Sequence, residues 1–327
     1  MRHFLRDDDL SPAEQGAILD AAMALAAAPR RERPLDGRSV AVVFEKQSLR
    51  TRVSFEVGIA EMGGQAVIID ASNTHLGRGE TIEDVARVLS GYVDMIIIRT
   101  FDDARLASMA QAASVPVINA LTDGYHPCQL LADLLTIRQF HGTTAGKTLA
   151  YVGDAGFNMA NSYALAGAAA GMHVKIGAPK GYQPSAHLVS RARAIASSTG
   201  GWLSVTEDPY EAVAGADVIA TDTWTSMGQE TSAERLADLT PYQVNAALVG
   251  AADPDAIVMH CLPAHRNEEI TDEVIDGPQS VVFQQAANRN PAQKAIMAFL
   301  LRDAAARPAP TQGAPAHPRP ALVSSAA

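Results

Sequence analysis

Apolar positions come in short runs along the chain, separated by stretches of helical length. RSVAVVF (38–44), AVIID (66–70), MIIIR (95–99), VPVINA (115–120), TLAYVGD (148–154), MHVKIGA (172–178), ADVIATD (216–222), AIVMHC (256–261) and VVF (281–283) each have the length of a buried strand. Such runs alternating with helix-length segments predict βα units, hence parallel sheets covered by helices. The first helix has a marked start, with Ser11 as N-cap, Pro12 as the first helical residue and Glu14 completing a capping box. Its alanine-rich body stops near Pro29. A second helix is expected from about Arg50, with Val53, Val57 and Ala60 on one face and a stop at Gly63 and Gly64.

A chain of 327 residues is long enough for two domains. The expected fold class is α/β, two domains that are each an open parallel sheet flanked by helices, with an active site in the cleft between them. Their boundary is placed after the helical segment 128–140, around HGTTAGK, which gives 1–140 and 141–288. A C-terminal helix at about 289–303 completes the first domain. Residues 307–327, rich in Pro and Ala and without periodicity, read as a disordered tail.

Composition narrows the function classes. The chain is 47% hydrophobic and 19% charged, and no apolar stretch is long enough to span a bilayer. The start, MRHFLRDDDLS, lacks the apolar core of a signal peptide, and two distant cysteines, Cys128 and Cys261, fit a reducing compartment. A cytoplasmic location is expected. A formal charge of −10 argues against nucleic-acid and anionic-membrane partners, which require a basic face.

Against that acidic background FEKQSLRTRVSFE (44–56) stands out, with Lys46, Arg50 and Arg52 just after a strand and just before a helix. On a regular helix Arg50 and Arg52 diverge by roughly 200°. They can converge on one anion if Ser48 to Thr51 form the turn that opens the helix, where free N–H groups and the helix dipole also favour negative charge. The alternative is a pair of surface arginines bonded to Glu45, Glu56 or Glu61. Arg99 follows four apolar residues, where a guanidinium is costly without an anion or carboxylate. His126-Pro127-Cys128-Gln129 and His260-Cys261-Leu262-Pro263 each end a strand, the edge at which open α/β sheets bind ligands. Each also has a plain structural reading as a satisfied histidine, a helix-starting proline or a core cysteine.

In order along the chain, S-x-R-T-R, H-P-C-Q, D-T-W-T-S-M-G (222–228) and H-C-L-P make the sequence resemble the aspartate/ornithine transcarbamoylase family from the first helix to about Leu301. The SMG and HCLP segments are similar to those of its ornithine branch. The resemblance implies carbamoyl transfer from carbamoyl phosphate to the side-chain amine of L-ornithine, giving L-citrulline and phosphate. It implies a carbamoyl-phosphate-binding first domain, an ornithine-binding second domain, and no metal or cofactor. Carbamoyl phosphate would be held by Ser48, Leu49, Arg50, Thr51, Arg52, Arg99, His126, Gln129, Cys261, Leu262 and Arg289. His75 would be added by a neighbouring subunit of a homotrimer. Ornithine would be held by Asn158, Asp222, Ser226, Met227, Cys261 and Leu262, with Arg99, His126, Asp222 and Cys261 as catalytic residues.

The chain departs from the family pattern at Leu49, where threonine is usual and where N-acetyl- and N-succinylornithine enzymes carry leucine, and at Phe157, where the first of two asparagines is usual. Two other motifs are decoys. GTTAGKT (142–148) has three residues between its glycines and precedes a strand, unlike a P-loop. YVGDAGFNMA (151–160) suggests a NAD-dependent dehydrogenase but does not complete G-x-G-x-x-G. A catalytically inactive anion-binding relative is the remaining alternative, and it would have been favoured by loss of Arg52, Asp222 or Cys261.

Overall fold

The computed structural model describes residues 1–29, 33–71, 79–225 and 232–306. Its strands are β1 (Ser39–Phe44), β2 (Gln65–Asp70), β3 (Met95–Arg99), β4 (Val117–Leu121), β5 (Thr148–Val152), β6 (His173–Gly177), β7 (Trp202–Thr206), β8 (Val218–Thr221) and β9 (Ile257–His260). The helices are α1 (Pro12–Ala27), α2 (Leu49–Glu61), α3 (Ile82–Ser90), α4 (Asp103–Ala112), α5 (Pro127–His141), α6 (Asn158–Ala169), α7 (Ala186–Thr199), α8 (Pro209–Val213), α9 (Ala233–Leu239), α10 (Ala246–Val249), α11 (Asp272–Ile275) and α12 (Val282–Ala306).

The strands form two parallel sheets, in the orders β2-β1-β3-β4 and β7-β6-β5-β8-β9. Burial on both faces explains why β1, β3, β4, β5, β8 and β9 are near-continuous apolar runs, whereas β2, β6 and β7 are only partly buried. In each sheet the strand order reverses once, between β1 and β3 and between β5 and β8. The crevice at such a reversal, beyond the carboxyl ends of the strands, is where open α/β sheets bind ligands. Phe44 pairs with Arg99 across β1 and β3, so the chain leaves β1 beside that arginine.

α1 opens with the expected capping box, Glu14 N–H donating to Ser11 Oγ at 3.3 Å and Ser11 N–H to Glu14 Oε2 at 2.9 Å. α5 ends at Gly142, whose φ of +75° needs a residue without a Cβ. The C-terminal helix, expected over about 289–303, is longer: α12 already begins at Val282, contains Pro291 and packs back on α5, α1 and α2.

Three readings are corrected. VVF (281–283) is not a strand: Val281 N–H bonds to Val258 O at 3.0 Å, and the helix begins at Val282. A three-residue apolar run carries no period to separate the two states. The strand β7 was not anticipated, because an edge strand with one deeply buried apolar side chain, Leu203, gives little pattern. α2 buries Thr51, Phe55, Gly58 and Ile59, not the face of Val53, Val57 and Ala60. The aromatic and isoleucine define the core face, and the valines lie outside it. The tail 307–327 is outside the described residues.

Candidate active site

A cleft of about 510 Å³ lies where the two strand-order reversals face each other. One wall comes from the segments after β1, β3 and β4, namely Lys46 to Thr51, Arg99 with Phe101, and Asp123 with His126. The other comes from the segments after β5, β8 and β9, namely Phe157 with Asn158, Asp222 with Thr223 and Thr225, and Cys261 to Pro263. Arg289 of α12 reaches the same space.

The first wall is built for an anion. Ser48 is the N-cap of α2, with Thr51 N–H donating to its Oγ at 3.3 Å and its hydroxyl donating to Thr51 Oγ1 at 3.0 Å. That geometry turns the first N–H groups of a 13-residue helix toward the cleft. Arg289 Nη2 donates to Thr51 Oγ1 at 3.0 Å, and Arg99 Nη1 approaches the same oxygen at 3.5 Å. Arg50, half-buried, forms no ion pair among the described residues.

Three guanidinium groups thus share one small volume, and the electrostatics record it. Burial, then Arg289 and Arg50, lower Arg99 to about 10. Burial also lowers Arg289, against the pull of the Asp133 carboxylate. His126 is pushed well below 6.5 by burial and by Arg289, Arg99 and Arg50, so its imidazole is neutral at pH 7. Its Nε2 lies 3.4 Å from Arg289 Nη1, a donor, which leaves the proton on Nδ1. Arg99 Nε, Arg289 Nε and His126 Nδ1 are buried without a hydrogen-bond partner. Buried donors are ordinarily satisfied, so three unpartnered ones on cleft-lining residues set this wall apart from an ordinary core.

The opposite wall carries the acid. Asp222 Oδ1 accepts from Thr223 N–H at 2.8 Å and from Cys261 Sγ–H at 3.1 Å. Burial, then the charge of Asp222, raise the Cys261 thiol well above its ordinary value. Cys261 is therefore a thiol donor and not a thiolate nucleophile. Leu262, the next residue, holds a φ of +56°, unusual for a branched side chain and typical of backbone shaped for a site. Asn158 Nδ2 donates to Thr122 O at 2.8 Å, which joins the two walls.

Most of the sequence-predicted set converges here: Ser48, Leu49, Arg50, Thr51, Arg99, His126, Asn158, Asp222, Cys261, Leu262 and Arg289 all line the cleft. Gln129 sits one layer behind, accepting from Arg289 Nη1 and donating to Asp133 Oδ1 at 2.8 Å. Arg52 is a correction. The helix begins at Leu49, so the roughly 200° separation applies, and Arg52 turns to solvent with its Nε 3.7 Å from Glu56. His75, Ser226 and Met227 lie outside the described residues.

The structure also assigns residues that were not singled out as site residues. Lys46, in the basic cluster but without a role there, enters the cleft, paired with Asp123 and 4.4 Å above the Phe101 ring. His260 accepts from Leu262 N–H at Nδ1 (2.9 Å) and meets the fully buried Glu269 at Nε2 (3.0 Å), fixing the turn that carries Cys261. Glu269 belongs to RNEE, which reads in sequence as surface charge. Asp133, accepting from Gln129, Gln285 and Tyr163, supplies a buried negative charge behind Arg289. Burial raises it to about 6.

Comparison with known proteins agrees with this geometry. The family model for the aspartate/ornithine carbamoyltransferase carbamoyl-P binding domain matches residues 2–139, and that for the Asp/Orn binding domain matches 145–300. The ornithine carbamoyltransferase of Mycolicibacterium paratuberculosis is 57% identical over 302 residues, covering 92% of this chain and 98% of its own. That of Clavibacter michiganensis is 57% identical over 303 residues, covering 92% and 99%. The solved ornithine carbamoyltransferase of Pyrococcus furiosus superposes with a TM-score of 0.88 at 46% identity, over 92% of this chain and 97% of that one. With one family model on each sheet and relatives matched along nearly their whole length, the chain belongs to the aspartate/ornithine carbamoyltransferase family.

Proposed function

We propose that the protein transfers the carbamoyl group of carbamoyl phosphate to the side-chain amine of L-ornithine, giving L-citrulline and phosphate, as part of cytoplasmic arginine biosynthesis. The observation that carries this reading is the convergence of Arg50, Arg99, Arg289 and the α2 N-terminus opposite the Asp222–Cys261 pair. The first domain, 1–140 with the C-terminal helix, would bind carbamoyl phosphate, and 141–288 would bind the amino acid.

The phosphate sits against Ser48, the backbone N–H of Leu49, Arg50 and Thr51, through charge-assisted bonds worth roughly 1.5–3 kcal/mol each. Leu49, 77% exposed, contributes no hydroxyl there but keeps its N–H. The carbamoyl oxygen meets Arg99, Thr51 and the Nδ1–H of His126, and negative charge grows on it as the carbonyl carbon becomes tetrahedral. A single preorganised donor at such an oxygen is worth about 10²–10³ in rate. Asn158, Asp222, Ser226, Met227 and the Cys261–Leu262 turn hold ornithine. Its free amine attacks the carbonyl carbon, the carbon–oxygen bond to phosphate breaks, and the departing phosphate takes the amine proton. Aligning two bound reactants can supply about 7–11 kcal/mol of the barrier reduction. The test is a carbamoyl-transfer assay with ornithine, N-acetylornithine, N-succinylornithine, putrescine and aspartate. A kcat/KM for ornithine at least tenfold above the rest is expected, and no turnover of any amine would overturn the reading.

A homotrimer is part of the same proposal, with His75 reaching a neighbour's cleft. Support comes from the outer face of α2. Val53 and Val57, one turn apart on the outward side of α2, are 49% and 46% exposed, an apolar pair that an interface with a second copy would cover. Val57→Glu is expected to convert a trimer of about three chain masses into monomers by light scattering, with loss of most activity. An unchanged trimer would place the interface elsewhere.

A further inference from the structure

Phe157 lines the amino-acid half of the cleft, immediately before Asn158. It is the N-cap residue of α6 yet makes no side-chain cap, so its ring is present for another reason. The ring lies 5.6 Å from the guanidinium of Arg235, which is also 5.2 Å from the Tyr182 ring. Two polar contacts hold Arg235. Its Nε donates to Trp224 O at 2.6 Å, two residues beyond Asp222, and its Nη2 is paired with the buried carboxylate of Asp154. Tyr182 is fixed in turn, its carbonyl accepting from Ala155 N–H at 2.8 Å and its hydroxyl donating to Asp238 at 3.2 Å.

We propose that Phe157 is a specificity-determining residue, a fixed aromatic wall that excludes amines acylated on their second nitrogen, and that Arg235 is the positioning residue that holds the ring in place. The inference rests on the ornithine reading above and sharpens it. Asp222 lies across the same half of the cleft, and the structure offers it no ion pair with a cationic side chain among the described residues. It therefore suits a substrate with free ammonium groups. An acetyl group adds three heavy atoms and removes a positive charge, and it would have to enter space bounded by the Phe157 ring, which has Arg235 beside it. Trp224 O ties Arg235 to the segment bearing Asp222, while Asp154 and Phe157 belong to the segment bearing Asn158. One guanidinium thus sets the spacing between the two groups that would grip the amino acid.

The experiment compares kcat/KM for ornithine and N-acetylornithine in the parent, Phe157→Ala, Phe157→Leu and Arg235→Ala proteins, with the KM of carbamoyl phosphate measured alongside. Phe157→Ala is expected to raise the N-acetylornithine to ornithine ratio at least tenfold, in the range that removal of a few carbons from a pocket wall changes discrimination. Phe157→Leu should give a smaller rise, and Arg235→Ala a rise in the same direction, with the carbamoyl phosphate KM within threefold throughout. A general loss of folding lowers both amines together and leaves the ratio fixed, so the ratio separates a wall from a merely structural residue. An unchanged ratio in both Phe157 variants, or a parent that already prefers N-acetylornithine, would overturn the proposal. A parent inactive toward every amine would instead overturn the functional reading beneath it.

Discussion

An Arg99→Leu protein is expected to lose about a thousandfold in kcat/KM, equivalent to about 4 kcal/mol of transition-state stabilisation, while melting no lower than the parent. The two halves of that expectation have one cause. Arg99 is 9% exposed at the end of β3, and its protein contacts are poor: Nη1 is 3.5 Å from Thr51 Oγ1 and Nε has no partner. Arg289 and Arg50 add like-charge repulsion, which together with burial lowers it to about 10. A guanidinium in that state costs the free protein stability and recovers the cost when a dianion binds. Leucine removes the desolvation and the repulsion without leaving a buried charge unpaired, so a melting temperature raised by about 2–4 °C is consistent with a gain near 1 kcal/mol. Calorimetry on the free protein and steady-state kinetics together check it. A large drop in melting temperature would mean that Arg99 is a structural residue, and retained activity would move the carbamoyl oxygen away from β3.

The same contrast between free and bound states explains which parts of the site were legible in sequence. Arg99 and His126 were visible because a charge after MIII and a histidine after VPVINA break strong apolar runs, and such breaks at strand ends coincide with the ligand edge of a parallel sheet. Arg50 was visible through its neighbours Ser48 and Thr51, a cap and a helix start. Arg52 was misplaced because one residue in the onset of α2 decides whether two arginines converge or diverge, and onset is what periodicity fixes least. The valines of α2 misled in a related way. They are apolar and helically spaced, but the sheet takes Phe55 and Ile59, leaving Val53 and Val57 outward. Glu269 and Asp133 were illegible for a different reason. Each is a buried carboxylate that, besides one partner four residues earlier in the chain, bonds to other elements: Glu269 meets His260 of β9, and Asp133 meets Tyr163 of α6 and Gln285 of α12. No local pattern distinguishes them from solvated acids.

Asp222→Asn is expected to raise the KM for ornithine by about 10–100-fold and to lower kcat, with carbamoyl phosphate binding unchanged within threefold. The carboxylate faces the cleft and accepts two bonds on Oδ1, from Thr223 N–H and from Cys261. Those bonds orient it and leave Oδ2 for a cationic substrate. Loss of a charge-assisted bond accounts for roughly 1.5–3 kcal/mol, which is the size of the KM change. The loss in kcat has a second origin. Cys261 keeps its proton because burial and the adjacent Asp222 charge raise its thiol, and Asp222 gives that proton its acceptor. With asparagine in place the acceptor is weaker, and where the amide nitrogen faces the sulfur there is none, so the Cys261–Leu262 turn loses an anchor on the amine side. The phosphate contacts depend little on this change, since Ser48, Arg50, Thr51 and Arg289 take their geometry from α2 and α12, while Arg99 feels the Asp222 charge. Titration calorimetry with carbamoyl phosphate and steady-state kinetics with ornithine separate the two effects. If affinity for both substrates fell equally, Asp222 would be supporting the cleft as a whole, and the division of labour between the two walls would be wrong.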